Sequence, residues 1–247
     1  MQLDDRFRPD PALDREAKLA LQAEIADAAT FDDQLSFDHK TIGTGTDEPL
    51  IAGVDQSFPD DRVVSAIVVL RGDTVVERTY SVTEQSFPYV PGLLSFREGG
   101  PIVSALETLE ITPDLLVFDG SGRIHYREAG LAVHLGVAFD LPAIGVAKSL
   151  LCGTPERSTD SLHTGESVPI RANDEMSTPN GTTVGYALQT RQYENNHRIN
   201  PVYVSPGHRL SAATATEIID QCGGEYKLPE PTRLADRYAD HAKELEI

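Results

Sequence analysis

Cysteine is almost missing from this 247-residue chain: Cys152 and Cys222 stand seventy positions apart, without CxxC spacing. That excludes a disulfide scaffold or a cysteine zinc site and makes a reducing cytoplasm the expected location. Positive charge is scarce as well. Asp and Glu total 39 against 21 Lys and Arg, a formal charge of −18, so no global positive field is available to coat nucleic acid. Lysine occurs only at positions 18, 40, 148, 227 and 243, which leaves Lys148 isolated in the middle of the chain. Long apolar runs are lacking: residues 63–70, with Ser65 inside, are strand-sized and too short to cross a bilayer. The start, Met1-Gln2-Leu3-Asp4-Asp5-Arg6, has neither the basic residues nor the apolar stretch of a signal peptide. A soluble, cytoplasmic protein without a membrane partner is expected.

What is present suits one α/β domain spanning 1–247, long enough to bury a core without staples, with 1–48 as an N-terminal helix and loop extension. Many carboxylates with few lysines is a composition that molar salt favours, although an ordinary acidic protein carries the same signature. Residues 9–29 read as an amphipathic helix, with Leu13, Ala17, Ala20, Leu21 and Ile25 at helical spacing. A polar loop follows to 48. Three β-type runs, 50–58, 62–70 and 74–83, are joined by short turns and predict antiparallel hairpins. Pro88 to Gly92 ends that meander. A helix over 94–109, a strand over 114–118, a helix over 130–139 and a strand over 143–147 form a β-α-β alternation, hence parallel strands. Residues 153–180 are expected as a surface excursion, followed by strands near 182–191 and 202–205 and helices from about 211 and 231.

Two aspartates close apolar runs, in Ile51-Ala52-Gly53-Val54-Asp55 and in Leu115-Leu116-Val117-Phe118-Asp119. A carboxylate in a core-like position is costly unless a cation or donors compensate it. Two that converge repel each other, and a divalent cation resolves the conflict. Oxygen ligands on few protein positions suit Mg²⁺. An Asp before a glycine turn also serves as a cap or an Asx turn, so each alone is ambiguous. Glu98, early in a helix, suits the helix dipole as well as chemistry. The Gly99-Gly100-Pro101 that follows it is odd inside a helix and points to a close backbone approach. Asp236, on a helix begun by Pro231, reads unaided as one solvated acid among several.

The chain resembles the endonuclease V family of deoxyinosine-directed DNA repair nucleases from about Leu50 to Asp236, about three quarters of its length. The resemblance is carried by Ile51 to Asp55, Pro88-Tyr89-Val90-Pro91-Gly92, Leu94-Ser95-Phe96-Arg97-Glu98-Gly99 and Asp119-Gly120-Ser121-Gly122. It continues through Gly130 to Gly136, Ile144-Gly145-Val146-Ala147-Lys148-Ser149, Val204-Ser205-Pro206-Gly207-His208 and Leu228 to Arg233. Each segment is short; their ordered combination is specific. The resemblance implies a ribonuclease H-like mixed sheet flanked by helices, with Asp55 and Asp119 on adjacent strands as ligands of a catalytic Mg²⁺, for which Mn²⁺ can substitute. It implies Glu98 as a catalytic glutamate, Asp236 as the residue completing the site, and Lys148 close to the scissile phosphate. The carboxylates are compatible with one metal or two.

The same resemblance makes Pro88 to Pro91 a wedge whose Tyr89 fills the gap left by a flipped base. Gly92, Gly120 and Gly122 would let backbone amides read hypoxanthine, and His125 falls near the nucleic acid. Hypoxanthine lacks guanine's exocyclic amine, so a close pocket excludes guanine. The implied product ends are a 3′-hydroxyl and a 5′-phosphate, with the cut at the second bond 3′ to the lesion. Gln56, Phe58 and Ser121 depart from the family pattern, and His208 is not expected in catalysis. The expected partner is deoxyinosine DNA cut by a monomer. Inosine RNA as substrate and a non-cleaving inosine-binding module are the alternatives.

Overall fold

A computed structural model describes residues 1–85, 88, 90–192 and 199–246. The three predicted β runs form β1 (Leu50–Ser57), β2 (Arg62–Arg71) and β3 (Thr74–Glu84), paired antiparallel in sequence order. After them come α2 (Leu94–Leu106), β4 (Leu115–Asp119), α3 (Leu131–Phe139) and β5 (Ala143–Ala147), preceded at the N-terminus by α1 (Arg15–Ala28). β4 pairs parallel with β1, and β5 parallel with β4, which is the crossover that the alternation predicts. The remaining elements are β6 (Thr154–Pro155), β7 (Ser167–Arg171), β8 (Thr183–Leu188), β9 (Val202–His208), α4 (Ala212–Gln221) and α5 (Glu230–Glu246). All the strands form one nine-stranded sheet in the order β3-β2-β1-β4-β5-β9-β8-β7-β6. This is the ribonuclease H-like arrangement, a mixed sheet with helices on both faces.

Alternation along the central strands divides the core into two. Ala52, Val54, Leu116 and Phe118 point to one face and pack with Ile102, Val103 and Leu106 of α2 and Leu135 of α3. Ile51, Leu115 and Val117 point to the other, against Ile218 and Ile219 of α4. Ser211 caps α4 by accepting from the Thr214 amide, a contact worth about 1 kcal/mol. The acidic stretch before β1 is built into this second face: Asp33 accepts from the Ser211 amide and the Thr214 hydroxyl, while Leu35, Phe37 and Ile42 pack on the cluster.

Two expectations need correction. Residues 153–180 are not simply a surface excursion, because β6 and β7 within them extend the sheet at its edge. Alternating Val168 and Ile170 is the signal, hidden by the polar residues around it. The first helix begins at Arg15 and not at residue 9, because Asp14 caps it by accepting from the Ala17 amide. Its buried positions are Lys18, Gln22 and Ile25, while Ala20 is exposed, so the helix is rotated from the apolar stripe. The close approach expected at Gly99-Gly100-Pro101 is present and is made by the N-terminal segment, since a Cβ on Gly99 would lie 2.6 Å from Pro9 Cγ. Among the described residues no helix is long and apolar enough to cross a membrane.

Candidate active site

The parallel register between β1 and β4 ends at the pair Val54 and Phe118. Both of these join the first core, so the next residues, Asp55 and Asp119, turn together to the opposite face. That face carries α5. Its entry is set by Gly53, where a Cβ would lie 1.9 Å from the Pro231 carbonyl oxygen. Only glycine lets the helix start this close to the strand, and the helix then delivers Asp236 to the same cleft as Asp55. Glu98 enters from α2, on the other side of the sheet. Lys148 follows directly after β5.

The cleft so formed measures about 450 Å³, and Asp55, Glu98, Asp119, Lys148 and Asp236 all line it. Gly92, Gly120 and His125 contribute to its wall. Asp55 is 9% exposed. Its Oδ1 accepts from the Gln56 amide at 2.7 Å, and its Oδ2 is buried without a hydrogen-bond partner. Lys148 Nζ donates to Asp119 Oδ2 at 2.5 Å. Burial first, and the Asp119 charge next, push the Asp55 carboxyl up to about 8, against the Gln56 amide and Lys148, which favour the anion. Burial pushes Glu98 up to about 7, with Arg97 opposing and Asp119 adding to the shift. Burial also works against the Lys148 ammonium, but the hydrogen bond and charge of Asp119, backed by Asp55 and Asp236, outweigh it and raise its pKa.

A divalent cation fits this donor set. Asp55 Oδ2 is an orphaned anionic oxygen beside a second carboxylate, and the repulsion between the two is what a cation would remove. Among the described residues no group of three or more His, Cys, Asp or Glu side chains is arranged so that it could hold a metal ion by itself. Mg²⁺ does not need one, since it takes one or two carboxylates and keeps several waters.

The other residues singled out in the sequence are placed differently. Tyr89 lies outside the described residues. Gly122 does not line the cleft; its amide donates to Ser205 Oγ at 2.9 Å. The Gly120 amide donates to the Val146 carbonyl at 3.1 Å. Both amides are therefore engaged within the chain: Gly122 is corrected, being outside the cleft, while Gly120 stays on the cleft wall with its own amide already bonded. His125 is buried: Nε2 donates to the Gly92 carbonyl at 3.1 Å, and Nδ1 accepts from the Arg127 and Ala129 amides. Burial, with Arg127 next, lowers its pKa to about 4, so it is neutral with the proton on Nε2. His208 accepts from the Thr30 amide at Nδ1 and meets Asp140 at Nε2, away from the cleft.

Two cleft residues escaped the sequence reading as site residues. Gln56 donates from Nε2 to Ser65 Oγ and, at 3.1 Å, to the Glu98 carbonyl, which links β1 to the helix carrying Glu98. Arg97 also lines the cleft, its guanidinium 4.5 Å from the centre of the exposed Phe58 ring. Neither has a motif of its own, and adjacency to Asp55 and Glu98 is the only signal for them.

The family model described as Endonuclease V matches residues 34–237. Endonuclease V of Natronomonas pharaonis is 60% identical over 238 residues, covering 96% of this chain and 95% of the relative. Endonuclease V of Haloarcula marismortui is 53% identical over 258 aligned residues, covering 96% and 95%. Among solved structures, endonuclease V of Streptomyces avermitilis superposes with a TM-score of 0.78 at 36% identity, covering 95% of both chains. With a match that runs through every residue lining the acidic cleft, from Asp55 to Asp236, this chain belongs to the endonuclease V family.

Proposed function

We propose that this endonuclease cuts DNA at deoxyinosine, hydrolysing the second phosphodiester 3′ to the lesion with Mg²⁺ and leaving a 3′-hydroxyl and a 5′-phosphate. One observation carries the reading: the buried, unpartnered Oδ2 of Asp55 beside Asp119, in a cleft shared with Glu98, Lys148 and Asp236. Asp55 and Asp119 would hold the ion. When bound, Mg²⁺ supplies a Lewis acid to the phosphodiester and offsets charge on the leaving oxygen. Glu98, with a carboxyl pushed up to about 7, is poised to take a proton from the attacking water near neutral pH. Asp236 orients that water from the α5 side. Lys148, tied to Asp119, offers its ammonium to the scissile phosphate.

Recognition falls to the opposite wall. Gly92 and His125 lie there, and a neutral His125 adds no charge to the pocket. Tyr89 would act as the wedge on which the flipped strand closes. Close walls favour hypoxanthine over guanine because the latter carries an additional amine.

The test is nicking of matched duplexes with and without a single deoxyinosine, in Mg²⁺ and in EDTA, alongside an RNA of the same sequence containing inosine. Cleavage of the deoxyinosine DNA alone, at the second bond and only with Mg²⁺, is expected. Cleavage confined to the RNA would assign the enzyme to inosine RNA instead, and selective binding without product would make it a non-cleaving module.

A further inference from the structure

Two of the three buried positions on α1 are polar, Lys18 and Gln22, with Ile25 completing the stripe. Burying such groups is costly unless both ends of the side chain are partnered. Lys18 donates within its own segment, to the Pro11 and Leu13 carbonyls, and its ammonium lies 5.7 Å from the Phe96 ring centre. Gln22 does not. Fully buried, it reaches seventy residues along the chain: Nε2 donates to the Gly92 carbonyl at 2.9 Å, and Oε1 accepts from Arg127 Nε at 2.6 Å.

The Gly92 carbonyl already receives His125 Nε2 at 3.1 Å and Arg127 Nη2 at 3.1 Å. A carbonyl oxygen has two lone pairs, so these two donors satisfy it without Gln22. What the third donor adds is orientation. It joins α1, the turn at Pro91 and Gly92 and the 123–129 loop at one atom of a residue that lines the cleft, just before α2 carries Glu98 into the site. Gly92 is held at φ +76°, where a Cβ would meet Tyr126 Cδ2 at 3.0 Å, so the position requires glycine and its carbonyl direction depends on its hydrogen bonds. Tyr89 precedes this anchored carbonyl by three residues.

We propose that Gln22 is a positioning residue for lesion recognition: from a helix that precedes the matched family region, its amide fixes the Gly92 carbonyl and thereby the wall that receives the base. This rests on the inosine-DNA reading of the cleft. Gln22 does not line the cleft or contact the acidic residues, so it acts on binding and selectivity and leaves the chemical step alone.

Gln22→Glu keeps the size and the acceptor for Arg127 but has no N–H for the carbonyl; Gln22→Met keeps the length and removes both bonds. For each, KM and kcat for nicking of deoxyinosine duplex, hydrogen exchange of amides 90–97, and melting temperature are compared with the parent chain. The expected result is KM raised about tenfold, which is about 1.4 kcal/mol, with kcat within about twofold and faster exchange over 90–97. Unchanged KM with unchanged exchange would overturn the proposal. So would a fall in kcat and melting temperature at constant KM, which is what a merely structural role produces. A parent chain that leaves deoxyinosine DNA uncut would overturn the functional reading, and the exchange comparison would then still decide whether Gln22 holds the turn.

Discussion

The Lys148 ammonium sits 2.5 Å from Asp119 Oδ2, while the adjacent strand's Asp55 Oδ2 is buried without a partner. One carboxylate of the pair is thus neutralised by the chain itself and the other is left for an added cation. Either substitution removes one of the two carboxylates that an added cation would use. Asp55→Ala and Asp119→Ala should both reduce nicking to background in Mg²⁺ while binding to deoxyinosine DNA persists, because the recognition wall lies on other elements. Gel shift and nicking on the same substrate check this; near-normal cleavage by either variant would remove that residue from the metal site.

Stability should respond to pH through Asp55. Its folded carboxyl titrates at about 8 against an ordinary 3.8, and Glu98 at about 7 against 4.5. Over those windows the native state keeps protons that the unfolded chain has lost, so stability declines as pH rises. Buried His125 and His134, at about 4 against 6.5, act oppositely, but chiefly below their ordinary value. From pH 6.5 to 8 the carboxyl contribution outweighs the fading opposite one of His125, His134 and His208, with a slope of at most about 1.4 kcal/mol per pH unit per proton. Metal-free protein should therefore melt lower at pH 8 than at 6.5, and Asp55→Asn should flatten the decline. Thermal melts at several pH values decide it; an unchanged slope in the variant would contradict the burial argument.

Glu98→Gln should lower single-turnover nicking by about 10²–10⁴-fold, the usual contribution of a positioned base. Mg²⁺ should still raise the melting temperature of this variant, because Asp55 and Asp119 are untouched. Loss of the Mg²⁺-induced shift would move Glu98 from proton transfer to metal binding.

Tyr89→Ala should reduce the preference for deoxyinosine over undamaged duplex more than it lowers the rate on a saturating lesion substrate. Competition nicking with excess undamaged DNA measures the preference, and an unchanged value would exclude the wedge.

A charge of −18 predicts self-repulsion in dilute buffer that salt relieves, with a Debye length of about 3 Å at 1 M. The melting temperature should rise in molar KCl, by about 2–4 °C for each kcal/mol recovered in a chain of this size. Nicking at fixed Mg²⁺ should survive salt that releases a basic nuclease, since few cations contribute counterion release. Highest stability and activity in dilute buffer would show that the acidic composition is not a salt adaptation.

The central strands and the Asp55–Asp119 pair were legible because they rest on local pattern, whereas Glu98 and Asp236 were named only through the family resemblance. β1 and β4 are apolar runs that each end in a carboxylate, and strand alternation alone turns Asp55 and Asp119 to the same side once the strands pair in parallel. What the pattern did not contain was anything decided by a distant partner. The orientation of α1 is set by Gly92 and Arg127, which accept and supply bonds to Gln22, so a polar stripe is buried where apolar spacing pointed elsewhere. The amides of Gly120 and Gly122 were unreadable for the same reason, since β5 and β9 claim them. β7 was hidden because only two of its residues are fully buried.

Because Pro231 occupies the space that a side chain on Gly53 would take, the separation between the strand bearing Asp55 and the helix bearing Asp236 is fixed main chain to main chain. The contact at the start of α5 is thus set by backbone, before the helix reaches its exposed positions. Exposed positions such as Asp240 on that helix are then open to selection by solvent alone. The same seventeen residues therefore carry both a cleft carboxylate and a solvent-facing acidic surface.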